Sequence, residues 1–289
     1  MVPPASRDAG KPRPRRLAVT VDIVVLTVHE GFLKVLLVQR LARHHRGEWA
    51  LPGGFVDTEE SLDSAAHREL FEETGLHLDP THIEQFRAYG DPDRDDRKDR
   101  RVITVAYLAI QPFHDLPELA PGTDAAQADW VTVDDIFSGR RPVAFDHAQI
   151  IEDAVDRVGT QLEYTALATA FVPERFTEAD LRTVYDAVWG LHADPLDAPN
   201  FHRSLRTLEP AIVEPLYERR SAGRGRPAAL FSTSDWVDVQ GPLARLERPL
   251  ARPKRRAGDE AGGTSGRQAT PHGPGPAPGT RPAYKRKPN

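Results

Sequence analysis

The sequence predicts an α/β domain followed by a winged helix-turn-helix domain and a disordered basic tail. Three observations point there. From Leu17 to about Phe145, β-rich runs surround one strongly patterned helix. From about His147 the apolar spacing becomes helical, and the region from Tyr164 reads as helix, turn, helix and basic hairpin. The last 39 residues hold seven Pro and seven Gly, including GPGPAPG, a composition that gives a packed core little to bury.

The elements follow in order. LAVTVDIVVLTV and FLKVLLVQR read as strands joined by a hairpin at Glu30-Gly31. A helix is expected from about Ser61 to Thr74. Further strands fit IEQFRAY, VITVAYLAI and ADWVTV. Ile150, Ile151, Ala154 and Val158 share a helix face. FTEADLRTVYDAVWG reads as a helix with Thr177 as N-cap and Asp180 three residues on. Asn200–Leu208 reads as a second short helix, and IVEPLYERR and AALFS as two strands around SAGRGRP. The expected divisions are a disordered basic N-terminus (1–16), an α/β domain (17–145), a linker helix (146–163), a winged-helix DNA-binding domain (164–235), and an extension with a disordered basic tail (236–289).

Composition narrows the function. The chain has 289 residues and no cysteine, which excludes disulfides, thiolate metal sites, iron–sulfur clusters and a cysteine nucleophile. No stretch approaches the roughly 18 apolar residues of a membrane span. The basic start, MVPPASRDAGKPRPRR, has no apolar run behind it and is not expected to be a secretory signal. The expected location is cytoplasmic, with no membrane partner. The net charge of −5 hides an asymmetry: +4 over 1–16, −16 over 17–250 and +7 over 251–289. An acidic body is a poor match to a nucleic-acid coat and suits a metal site or plain solubility.

The chemistry lies in GGFVDTEESLDSAAHRELFEETGL, residues 53–76. Glu69, Glu72 and Glu73 stand at i, i+3 and i+4, so the helix carries three carboxylates on one face. Like charges so placed repel, and a divalent cation would neutralise them. Oxygen ligands favour Mg²⁺ or Mn²⁺. Arg68 can brace a carboxylate through a bidentate contact. Gly53 and Gly54 leave room for a main-chain carbonyl to approach the same ion. A short Glu run alone would be read as a solvated helix face. Here Gly54, Glu60, Arg68-Glu69-Leu70, Glu72-Glu73 and Gly75-Leu76 are fixed in one spacing.

That spacing resembles the Nudix box without a departure. The resemblance covers residues 17–145 and implies a Nudix α/β/α sandwich around a mixed sheet. It also implies binding of a nucleoside diphosphate linked to another group, with Mg²⁺- or Mn²⁺-dependent hydrolysis where activity is kept. By that similarity Glu69 and Glu73 are the principal metal ligands, helped by Glu72 and the Gly53 carbonyl. The catalytic set is Arg68, Glu69, Glu72 and Glu73; Gly54, Glu60 and Gly75 shape the motif. The box does not assign the general base.

Downstream, AYGDPDRDDR, VITVAYLAI, AFDHAQII, LEYTALATAFVPERFTEADLRTVYDAVWG and GRGRPAALF occur in order. They resemble the Nudix-related transcriptional regulators of NAD metabolism over residues 17–232. In that family a Nudix domain senses ADP-ribose and a C-terminal winged helix binds double-stranded DNA as a homodimer. Some members keep hydrolysis. The resemblance implies ADP-ribose or a related NAD metabolite as ligand. It makes the loop GDPDRDDRKDRR, 90–101, a ligand- or dimer-contacting segment. Arg40, at the end of the second strand, reads either as a contact to a ligand phosphate or as a surface arginine. Arg203 and Arg206 on the recognition helix, with Arg224 and Arg226 in the wing, become the DNA contacts. Residues 201–230 hold six Arg and three Glu, so positive charge gathers where DNA should lie. The competing expectation is a metal-dependent ADP-ribose-type pyrophosphatase with an accessory C-terminal domain. The intact box leans toward retained hydrolysis.

Overall fold

The computed structural model describes residues 16–77, 83–95, 100–112, 119–120, 125–190, 201–203, 213–220 and 227–233. The N-terminal 15 residues and the tail from 234 lie outside that set.

The chain opens with β1 (Arg16–His29) and β2 (Phe32–Arg40). Glu30 and Gly31 join them with φ of 55° and 79°, the two positive values that a type I′ hairpin turn requires. The short strands β3 (Trp49–Ala50) and β4 (Gly53–Phe55) lead into α1 (Leu62–Thr74). Ser61 caps α1 by accepting the Ser64 N–H, and Gly75 ends it at φ 74°. β5 (Ile83–Tyr89), β6 (Arg100–Ile110) and β7 (Ala125–Thr132) follow. Next come α2 (Val133–Phe137) and α3 (His147–Tyr164). β7 ends one residue before the expected strand does, because Thr132 turns the chain and caps α2 through the Asp135 N–H.

The sheet is mixed, in the order β3-β2-β1-β6-β5, with β4 on β1 and β7 on β2. β1 and β6 run parallel from Arg16↔Arg100 to Leu26↔Ile110, while the other pairings are antiparallel. On its other edge β1 changes partner. Thr20–Asp22 pair with β4, and Leu26–His29 pair with β2. That parting brings Gly53 beside Asp22 in the middle of the sheet.

Alternation along β1 builds two cores. Val21, Ile23 and Val25 meet Ala65, Ala66 and Leu70 of α1. Val24 and Leu26 face Ile150, Ile151, Ala154 and Val158 of α3. The sheet is thus sandwiched between helices. α3, in the segment expected to link two domains, packs on one face beside α2 and α4.

The second core runs on into the winged helix. A 3-10 turn (Leu167–Phe171), β8 (Arg175–Phe176), α4 (Glu178–Trp189), β9 (Val213–Arg220) and β10 (Ala228–Thr233) follow α3. β8, β10 and β9 form a three-stranded antiparallel sheet. Thr177 and Asp180 make a reciprocal capping box on α4. Leu181, Val184, Tyr185, Val188 and Trp189 of α4 join the α3 cluster with Phe176, Phe201 and Phe231. The Trp189 Nε1–H donates to the Gly159 carbonyl at 2.9 Å.

Candidate functional site

The box folds as loop and helix because two glycines permit close approach. A Cβ on Gly54 would lie 2.3 Å from Glu69 Oε1. One on Gly53, at φ 156°, would lie 2.1 Å from the Val21 carbonyl oxygen. The Gly53 N–H donates to Glu73 Oε2 at 2.9 Å. The bare backbone therefore touches both carboxylates, and no side chain intervenes.

Arg68 organises the rest. Its Nε and Nη2 make a bidentate pair with Glu60, at 3.0 and 2.5 Å. Nη1 reaches Glu69 at 2.8 Å and Glu72 at 3.1 Å, and Nη2 also donates to the Phe55 carbonyl at 3.1 Å. The Asp57 N–H completes Glu60 at 2.8 Å. The Arg68 hydrogen bond, helped by that N–H, holds the Glu60 carboxyl at about 2.

Glu69 and Glu73 behave in the opposite way. Burial pushes the Glu73 carboxyl up to about 8, against the opposing pull of the Gly53 N–H. Burial also raises Glu69, against the opposing pull of Arg68. A nearby cation would favour the charged form of both half-buried carboxyls.

Both line a pocket of about 540 Å³ with Asp22, Arg40, Arg68 and Arg94. Glu72 does not line it. Its side chain is 56% exposed and leans on Arg68. At about 100° per residue, position 72 points about 100° away from position 73, so the three carboxylates of the expected face split into two inside and one on the flank. Among the described residues no three acidic or histidine side chains converge on one point as they stand. The oxygen donors that fit a hard divalent cation here are Glu69, Glu73 and the main chain at Gly53.

Arg40 lines the pocket, 5.0 Å above the Phe145 ring, with Nε donating to the His44 carbonyl at 3.4 Å. Arg203 lies in the helical residues Phe201–Arg203, within the expected second short helix, and is exposed. Arg206, Arg224 and Arg226 lie outside the described residues, as do 96–99 of the acidic–basic loop.

The sequence reading missed a buried polar group on the pocket wall. Arg94 pairs with Asp146, Nε to Oδ2 at 2.9 Å and Nη2 to Oδ1 at 2.8 Å, and reaches Asp22 at 3.4 Å. The His147 Nδ1 accepts the Leu51 N–H at 2.9 Å, fixing that loop, and its Nε2 faces Asp22 at 3.6 Å. Burial lowers the His147 pKa, which keeps the ring neutral. The one available signal was the charge-dense segment holding Arg94 and the FDH triplet; their meeting could not be read from either alone.

Comparison with known proteins adds breadth. The NUDIX domain family matches residues 16–154, and the NrtR DNA-binding winged helix domain family matches 168–233. The ADPR responsive transcriptional repressor NtrR of Acinetobacter baylyi is 34% identical over 214 residues, 73% of this chain and 80% of the repressor. An ADP-ribose pyrophosphatase of Methanocaldococcus jannaschii is 36% identical over 138 residues, 47% of this chain and 72% of that enzyme. The crystal structure of Shewanella oneidensis NrtR complexed with a 27mer DNA matches with a TM-score of 0.66 at 32% identity. It covers 79% of this chain and 99% of that one. The enzyme's likeness spans about half of this chain, whereas the repressor's reaches both domains. The chain belongs to the Nudix-domain transcriptional regulators that carry an NrtR-type winged helix.

Proposed function

We propose that this protein binds ADP-ribose or a related nucleoside diphosphate metabolite in its Nudix pocket and controls transcription through its winged helix. The carrying observation is that likeness to an ADP-ribose-responsive repressor extends over 73% of the chain, so the pocket and the winged helix are shared together. The pocket supports the ligand class: three arginines, Arg40, Arg68 and Arg94, line it with five carboxylates, Asp22, Asp57, Glu69, Glu73 and Asp95, whose excess charge a divalent cation would offset. Guanidinium groups match phosphate oxygens.

Nudix hydrolases generally use divalent metal ions, and Mg²⁺ or Mn²⁺ suits the oxygen donors here. Glu69, Glu73 and the Gly53 carbonyl would hold the ion, with Glu72 at the rim. Such an ion supplies neutralisation of pyrophosphate charge and activation of water. The chain's own contribution is separate: Arg68 holds Glu69 in place, and the arginines orient the anionic ligand. Retained hydrolysis is compatible with this role, but an enzyme with a merely accessory second domain is not the reading the comparisons favour.

On DNA, a cytoplasmic homodimer would place two winged helices on half-sites of a palindrome. Arg203 and Arg206 would face one groove, and Arg224 and Arg226 would follow phosphates or the minor groove. A duplex selected from a random library serves as probe in a gel shift at moderate salt. Arg224→Ala with Arg226→Ala should weaken retardation while ADP-ribose binding stays at the parent level. Equal retardation by parent and double variant, or no sequence preference in the parent, would defeat the regulator reading.

A further inference from the structure

Arg94 borders two adjoining pockets, the one with Glu69 and Glu73 and another of about 410 Å³ lined by His45, Asp91 and Phe145. Its side chain is only 5% exposed, and Asp146 and Asp22 hold it. Asp146 is the N-cap residue of α3. Its carboxylate does not cap that helix, because both oxygens are spent on Arg94. The caps of α1, α2 and α4 are Ser61, Thr132 and Thr177, each extended and each accepting an N–H of the first turn. α3 alone among these four helices starts from a non-extended cap, at φ −92° and ψ 17°. The preceding residue, Phe145, sits at φ 55°, a conformation that costs an L residue about 1 kcal/mol or more. The entry to α3 therefore lacks a side-chain cap and follows a strained residue, and its cap side chain is tied to a pocket arginine.

The far end of α3 grips the winged helix. Gly159 accepts the Trp189 indole N–H, and Trp189 is 1% exposed. Between the two ends, Asp153 accepts the Tyr89 hydroxyl at 2.8 Å and pairs with Arg87, and Arg157 pairs with Glu84 at 2.9 Å. An 18-residue helix spans about 27 Å. It is a stiff rod with a pocket contact at one end and a winged-helix contact near the other.

We propose that Arg94 is the ligand sensor: an anionic group of a bound nucleoside diphosphate draws Arg94 off Asp146, Asp146 then caps α3, and the reset first turn moves α4 through the Gly159–Trp189 contact. The proposal rests on the function proposed above and names the regulation of that same site. Asp146 has two discrete arrangements, each with partners. Paired with Arg94 it satisfies the buried cation. Released, it meets the positive dipole of the α3 N-terminus, where the His147 and Gln149 N–H groups otherwise bond the Ala144 and Asp146 carbonyls. A phosphate offers Arg94 a bidentate partner of at least equal strength. Sites couple when both bias one two-state element, and α3 is that element here.

The test measures coupling, the ratio of ADP-ribose dissociation constants for free and DNA-saturated protein, on the full chain with a selected duplex. Wild type should show coupling of about fivefold or more. Asp146→Asn keeps a good N-cap and loses the ion pair. Its coupling should fall to within about twofold of one, while free protein binds ADP-ribose at least as tightly as wild type. Arg94→Gln should weaken ADP-ribose binding by roughly tenfold or more, the loss of a charge-assisted hydrogen bond. Trp189→Phe, remote from the pocket, should bind both ligands and also lose coupling; it serves if the Asp146 variant does not fold. Wild-type coupling in Asp146→Asn or in Trp189→Phe overturns the sensor. Binding of both ligands without coupling in wild type overturns it as well. Failure of wild type to bind ADP-ribose or DNA removes the functional reading beneath it.

Discussion

Substituting Gly54 by Ala adds one methyl group against Glu69. The new Cβ would lie 2.3 Å from Oε1, 2.5 Å from Cδ and 2.6 Å from Oε2. Ordinary contact begins near 3.4 Å, so the carboxylate must retreat by about 1 Å. The backbone at residue 54 has no positive φ, and the collision is with the end of a flexible side chain, so the fold can yield. What yields is the 2.8 Å bond from Arg68 to Glu69. A hydrogen bond to a charged group is worth about 1.5–3 kcal/mol. The Arg68 side chain is 29% exposed, and screening lowers the figure to about 1–2 kcal/mol. For a folded body of this size that is a fall of roughly 2–8 °C in melting temperature. The effect on cation binding should be larger in proportion, about tenfold or more, because one of two buried carboxylates leaves its position. Differential scanning calorimetry measures the first quantity and titration with Mn²⁺ the second. Glu69→Gln and Glu73→Gln should weaken the metal similarly while remaining folded. If Gly54→Ala kept both the parental melting temperature and the parental Mn²⁺ affinity, Glu69 would not pack on Gly54 and the site geometry argued here would be wrong.

The carboxyl of Glu73, raised by burial to about 8 from an ordinary 4.5, sets a pH dependence. A folded value above the unfolded one means that its stabilisation is complete below about 4.5 and is lost as pH rises toward 8. Metal-free protein should therefore melt lower at pH 8 than at pH 5, and Glu73→Gln should flatten that slope; equal slopes would show that Glu73 does not titrate in this window. With Mg²⁺ or Mn²⁺ present, the unbroken box predicts release of AMP and ribose 5-phosphate from ADP-ribose. Chromatography showing no AMP above a Glu73→Gln control would leave the pocket as a sensor only. Deleting residues 251–289 should change the melting temperature by no more than about 1 °C, since that composition offers little to bury. A large drop in calorimetry would show that the tail docks.

Local signals carried most of the elements. The hairpin at Glu30-Gly31, the α1 span and the Thr177–Asp180 box each lie within a few residues of sequence, where capping and turn chemistry act. The meeting of Glu69 and Glu73 in one pocket was legible for the same reason, since they are one turn apart on one helix. Glu72 was not placed correctly by spacing alone, because Arg68 draws it to the flank. Long-range partners were not legible. β1 pairs with β6 across more than 80 residues, and Arg94 meets Asp146 and Asp22 at separations of 52 and 72. No periodicity encodes such meetings; the parting of β4 and β2 along β1 creates them. The role of α3 was hidden similarly. Its apolar stripe announced a helix, but not that the same stripe serves two domains.

If one chain joins a nucleoside diphosphate pocket to a DNA-binding module as proposed, each ligand changes the affinity for the other. Fluorescence anisotropy of a selected duplex, titrated with the full chain with and without saturating ADP-ribose at fixed moderate salt, tests it most directly. A shift of about fivefold or more in the DNA dissociation constant is predicted, and at the ADP-ribose concentration that just saturates the parent, Glu69→Gln with Arg94→Gln should reduce the shift by weakening occupancy of the pocket. Superimposable curves, with ADP-ribose shown by calorimetry to be bound, would contradict the account.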